Sequence, residues 1–93
     1  MNDDNTVYIG KKETMAYVMA VTQQFNSGSQ EVIIKARGRA ISKAVDVAEI
    51  TTKRFLTQAD IIDIVTDTEE IEQEEDNSTV NVSSIEITLK LEE

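Results

Sequence analysis

Cysteine and histidine are both missing from this chain of 93 residues. Without cysteine there is no disulfide framework and no thiolate metal site, which agrees with an intracellular setting. Without histidine the chain lacks the commonest general base and the commonest transition-metal ligand. Glycine is scarce: the three, at positions 10, 28 and 38, each mark a break between elements, and none builds a glycine-rich phosphate loop. No serine stands in a nucleophile motif. An enzyme is therefore not expected, and neither is a cofactor. No apolar run approaches the roughly 18 residues that would span a bilayer. The start, Met1-Asn-Asp-Asp-Asn, is polar and acidic, unlike the basic and apolar regions of a secretory signal. The expected setting is soluble and cytoplasmic, with no membrane partner. The length suits one domain over residues 1–93, with a core small enough that a second copy is expected to complete it.

Positive charge is also in short supply, nine lysines and arginines against 18 acids for a net charge of -9. The imbalance is local. Residues 1–66 carry eight cations and eight acids, whereas residues 67–93 carry only Lys90 against ten acids. A field depends on charges within a Debye length of about 8–10 Å, so a basic patch can survive on an acidic chain. Such a patch exists: Lys35-Ala-Arg-Gly-Arg-Ala-Ile-Ser-Lys43 gathers four of the nine cations into nine residues. Lys35, Arg37, Arg39 and Lys43 fall where a strand hands over to a helix, an arrangement suited to phosphate.

Periodicity supplies the frame. Thr6–Ile9 reads as a short strand, followed by Lys11 and Lys12 in a loop. Glu13–Phe25 reads as a helix with Met15, Val18, Met19, Thr22 and Phe25 on one stripe, stopped by Asn26-Ser-Gly28. Glu31–Arg37 alternates as a strand, with Val32, Ile34 and Ala36 on one face and Ile33, Lys35 and Arg37 on the other. Ala40–Leu56 reads as an uninterrupted helix whose stripe is Ile41, Ala44, Val45, Ala48, Thr52 and Phe55. Ile61–Asp67 and Val80–Leu91 follow as β-branched strands forming an antiparallel hairpin. Val80 and Val82 are out of step with Ile85 and Ile87, which suggests a bulge near Ser83-Ser84. The fold class is thus α/β (α+β), a two-layer β-α-β-α-β-β sandwich with both helices on one sheet face and helical crossovers that permit parallel neighbours. Between the last strands, about 68–79, six acids and few anchors predict a protruding, mobile acidic hairpin arm. The arm lacks the glycine and ligand spacing of a calcium loop, so no metal site is expected there.

Tyr8-Ile-Gly-Lys-Lys12, the helix containing Met15, Tyr17 and Val18, Ile33-Ile-Lys-Ala-Arg-Gly-Arg-Ala-Ile-Ser-Lys-Ala-Val-Asp46, and Arg54-Phe-Leu56 closely resemble Alba, the archaeal chromatin family. The resemblance runs from about Val7 to Leu91. It implies a fold like the C-terminal domain of translation initiation factor 3, a homodimer, and binding of double-stranded DNA with RNA as a further partner. It implies nucleic-acid contacts from Lys11, Lys12, Lys35, Arg37, Arg39 and Lys43, acetylation at Lys11 or Lys12, and contact between dimers at Arg54 and Phe55. Each position has an ordinary use too: a solvated lysine pair, surface pairing of Arg37 and Arg39 with Glu31 or Asp46, and a core place for Phe55. The chain departs from the family at the arm, which usually carries arginines reaching toward the minor groove. Here Glu69-Glu-Ile-Glu-Gln-Glu-Glu-Asp76 is repelled by phosphate, so weaker binding and a shallower salt dependence are expected. An RNA-preferring protein and an interaction module whose arm takes a basic partner are the alternatives.

Overall fold

The structure, a computed structural model, describes residues 5–92; residues 1–4, including the start of the polar N-terminus, and Glu93 lie outside them. Strand β1 (Thr6–Tyr8) leads through the lysine loop to helix α1 (Thr14–Asn26), then to β2 (Glu31–Arg37). A 3-10 turn at Gly38–Ala40 opens helix α2 (Ile41–Ile50), and a π turn at Thr51–Phe55 closes it. Strands β3 (Ala59–Glu72) and β4 (Thr79–Leu91) complete one four-stranded sheet in the order β1-β2-β4-β3.

The two-layer frame expected from periodicity is present, with one change in neighbours. β1 and β2 pair in parallel, as the first crossover permits, but β4 inserts between β2 and β3 and runs antiparallel to both. β2 and β3 are therefore not neighbours. Central placement suits β4, whose Ile85, Ile87 and Leu89 are buried and would be wasted at an edge.

Alternation decides the sheet faces. Val32, Ile34 and Ala36 face the helices with Ile85, Ile87 and Leu89, packing against Val18, Val21 and Phe25 of α1 and Ala44, Val47 and Ala48 of α2. Both helical stripes are rotated from the expected ones. Met15 and Met19 of α1 and Val45 of α2 lie on exposed flanks, while Val21 and Val47 take central positions. Two helices side by side share one sheet face, so each buries the flank turned toward the sheet and its neighbour. Phe55 is exposed, not a core residue, because the wide last turn carries it past the sheet; that turn closes with the Leu56 N–H donating to the Thr51 carbonyl at 2.8 Å.

The hairpin differs most from expectation. Its strands pair from Ala59↔Leu91 to Glu72↔Thr79, so the arm is a regular two-stranded ribbon with a short tip at 73–78. The β-branched Thr68, Ile71, Thr79, Val80 and Val82 sustain pairing among the acids, and Ile71 sits across from Val80. The ladder passes Ser83 and Ser84 without interruption. The irregularity lies instead between Ile61 and Asp63 of β3. No bulge is needed at the serines because Val80 and Val82 point to the other face of a ribbon that no helix covers. The arm gives the molecule its elongated extents of 50 × 24 × 21 Å.

Gly38 is one place where glycine is required. Its φ of 60° is left-handed, and a Cβ there would lie 3.5 Å from Val82 Cγ1, which sets the turn against the arm's base.

Leu89 is fully buried at the centre of the sheet. Leu89→Ala is expected to reduce unfolding free energy by about 2–5 kcal/mol, seen as a lower denaturant midpoint with an unchanged slope.

Candidate nucleic-acid interface

Because β1 and β2 are parallel, with Tyr8 beside Lys35, their carboxyl ends emerge at the same edge of the sheet. That edge is where an open α/β sheet offers its loops to ligands. β1 delivers Lys11 and Lys12 there, and β2 delivers Arg37, the turn bearing Arg39, and the first turns of α2 bearing Lys43. All the basic residues expected at the nucleic-acid contact except Lys35 are thereby brought to one end of the body, at the base of the arm. Lys35 lies just inside it, on the helix-free sheet face.

The lysine loop is held through both its amides and its carbonyls. The Tyr17 hydroxyl accepts hydrogen bonds from the Gly10 N–H at 2.9 Å and the Lys12 N–H at 3.0 Å. Lys43 Nζ donates to the Gly10 carbonyl at 3.1 Å and the Lys12 carbonyl at 2.6 Å, and lies 5.9 Å from the Tyr17 ring centroid. Lys43 therefore spends its donors on the loop and fixes where Lys11 and Lys12 project. Those two side chains are exposed and make no ion pair with a described residue.

The other cations divide into two kinds. Arg39 is exposed and likewise makes no ion pair with a described residue. Arg37 Nη1 donates to Glu69 Oε1 at 2.8 Å, and Lys35 Nζ stands 3.6 Å from Glu86 Oε2 and 5.8 Å from the Tyr8 ring centroid. Surface pairing thus does occur at Arg37, but with the arm rather than with Glu31 or Asp46. Pairs this exposed contribute roughly 0–1 kcal/mol, so a phosphate can compete for them.

Arg54 and Phe55 stand at the far end of the helical run, roughly 25 Å from Arg39 by helical rise. Both are exposed. They form no part of the basic edge.

The arm's tip keeps its charge. The Ser78 hydroxyl at 2.7 Å and the Ser78 N–H at 3.1 Å both donate to Asp76 Oδ1, holding its carboxyl below the ordinary range. At the opposite end of the hairpin, hydrogen bonding to Asp60 and repulsion by its charge push Glu92 up.

Comparison with known proteins decides the family. The Alba family profile matches residues 5–69. The chain belongs to the Alba family. It is 59% identical over 86 residues to DNA/RNA-binding protein Alba 1 of Archaeoglobus fulgidus, covering 92% of this chain and 94% of that one. It is 56% identical over 89 residues to DNA/RNA-binding protein Alba of Methanoculleus marisnigri, covering 96% of each. The solved structure of Alba from Thermoplasma volcanium superimposes with a TM-score of 0.86 at 53% identity, covering 92% of this chain and 99% of that one. The Alba profile ends at Glu69, where the acidic arm begins to leave the body.

Three residues of the site escape sequence reasoning. Tyr17 stands in the sequence only as part of the family pattern, while Glu69 and Glu86 need the strand register to place them beside Arg37 and Lys35. Tyr17→Phe removes the acceptor shared by two loop amides, at about 0.5–1.5 kcal/mol for each hydrogen bond. Hydrogen exchange that quickens at Gly10 and Lys12, with Leu89 losing no more protection than the overall loss of stability explains, is the expected result.

Proposed function

We propose that this Alba chain is an archaeal chromatin protein of the cytoplasm that binds double-stranded DNA, and RNA as a second ligand, through the basic edge of a homodimer. The observation that carries this reading is the convergence of the lysine loop with the turn between β2 and α2 at one sheet edge. Lys11, Lys12 and Arg39 supply the available cations for phosphate. Arg37 and Lys35 join when phosphate displaces Glu69 and Glu86, and Lys43 acts mainly by holding the loop. Contacts of this kind go to phosphate and sugar and carry little base information. Acetylation of Lys11 or Lys12 would delete about one phosphate contact and weaken binding.

A second copy fits the uncovered side of β3. Ile41 of α2 lines a groove with Thr66 and Thr68 of β3. One turn along α2 and two residues back along β3, Val45 and Ile64 are exposed, Ile64 by 54%. An apolar strip beside a helix of a small domain is suited to burial against its own copy. Arg54 and Phe55 are then left on the outside, available for contact between neighbouring dimers. RNA preference is the second reading, favoured by the carboxylates that crowd Lys35 and Arg37 and disfavour a rigid duplex. An interaction module using the arm is the outcome if neither nucleic acid binds.

Duplex DNA and structured RNA titrated across a salt series provide the test. Arg37→Ala/Arg39→Ala is expected to weaken both and to reduce the salt slope by about 0.9 for each DNA phosphate no longer neutralised. Glu69→Gln is expected to tighten duplex binding at low salt by up to about fivefold, the scale of one exposed ion pair. Failure of the native chain to bind either polymer at low salt would overturn the nucleic-acid reading. Light scattering should give a dimer for the native chain and a monomer for Ile64→Asp; an unchanged mass in that variant would move the interface elsewhere.

A further inference from the structure

Among the described residues, Tyr8 is the one large aromatic displayed on the helix-free face, 59% exposed, and nothing in duplex binding uses its ring. Its neighbours Val7 and Ile9 are buried in the core, so the strand positions the ring rigidly from behind. Beside it lies a cleft of about 470 Å³ lined by Lys35, Arg37, Glu69, Ser84 and Glu86 as well as Tyr8. That volume is in the range of small-ligand clefts, roughly 300–1,000 Å³.

The chemistry of the cleft is mixed in an informative way. It offers an aromatic face, two cations and two carboxylates, and the carboxylates accept hydrogen bonds without donating any. A duplex cannot satisfy this whole set: its bases are stacked on one another and leave the ring unused, and its phosphates reach Lys35 and Arg37 only by displacing Glu69 and Glu86. An unpaired ribonucleotide can. Its base has a free face for the ring, its phosphate is drawn to Lys35 and Arg37, and its base-edge N–H groups and 2′-hydroxyl can donate to the carboxylates.

We propose that Tyr8 is a stacking platform for one unpaired base of single-stranded RNA, with Lys35 and Arg37 holding the adjoining phosphate and Glu86 accepting from the base edge or ribose. Single-stranded DNA lacks the ribose donor and leaves the carboxylates less satisfied. The site deepens the nucleic-acid reading above while remaining separable from it, because duplex binding relies on Lys11, Lys12 and Arg39 rather than on the tyrosine ring.

The chain contains no tryptophan, so Tyr8→Trp provides a single emission reporter at the platform. A single-stranded oligoribonucleotide, the same sequence as deoxyribonucleotide, and duplex DNA are titrated against the native full chain, Tyr8→Trp, Tyr8→Phe and Tyr8→Leu. Saturable quenching of Tyr8→Trp by the RNA is expected. Tyr8→Leu should weaken RNA binding roughly tenfold, the scale of one base stack, while Tyr8→Phe retains affinity and duplex binding changes by less than about twofold. Native RNA affinity in Tyr8→Leu would overturn the platform. Equal weakening for RNA and duplex would also overturn it, since the residue would then serve a surface common to both. Equal affinity for the two single strands would overturn the ribose preference. If the native chain fails to bind duplex yet keeps Tyr8-dependent RNA binding, the duplex reading fails alone.

Discussion

The placement of β4 between β2 and β3 governs the rest of the molecule. Its inner half is hydrogen-bonded on both edges, and its buried Ile85, Ile87 and Leu89 anchor the layer beneath the helices. Its opposite face carries Glu86 across from Lys35 and Ser84 across from Arg37. One strand thus sets the core, the partners of the basic residues and the direction of the arm. A slip of one residue would turn the core side chains outward and Glu86 inward, which is why the apolar alternation specifies the register strongly.

Segregation of charge replaces net charge as the useful description of this chain. At the sheet edge, exposed cations lie next to cations already engaged by carboxylates. The engaged pairs are weak individually, but a ligand must displace each of them before it gains the cation. The cations so engaged remain within reach of a competing anion. Meanwhile the Tyr17 and Lys43 contacts hold the lysine loop through a hydroxyl and two carbonyls, so its position does not depend on those pairs.

Much of this is legible in the residues. The order of elements, the sheet alternation of β2 and the basic run all follow from local periods and composition, and the family pattern extends over nearly the whole chain. What cannot be read is long-range. Which strand lies beside β2, and hence that Glu86 meets Lys35, is a matter of pairing between segments far apart in the chain. The helical stripes shift because two adjacent helices share one sheet face, a constraint that a single helical wheel does not contain. The order of the arm is masked in the sequence by its acids, although the β-branched side chains of Thr68, Ile71, Val80 and Val82 favour pairing despite the charge. Lys43 counts as a cation in sequence but is also a hydrogen-bond donor to the loop, a role visible only when the start of α2 meets the end of β1.

The outer side of β3 has a further physical meaning. As an edge strand of 14 residues it presents unpaired backbone groups, with Ile62, Ile64 and Val65 exposed nearby. Long apolar edges invite uncontrolled strand addition. The irregularity at Ile62 interrupts the flat edge near its start, and Glu69, Glu70 and Glu72 charge it further along. Glutamates along this outer stretch repel the same glutamates of another copy, so they disfavour strand addition there. Protection of an open edge, rather than recognition alone, gives an arm of this composition a structural use.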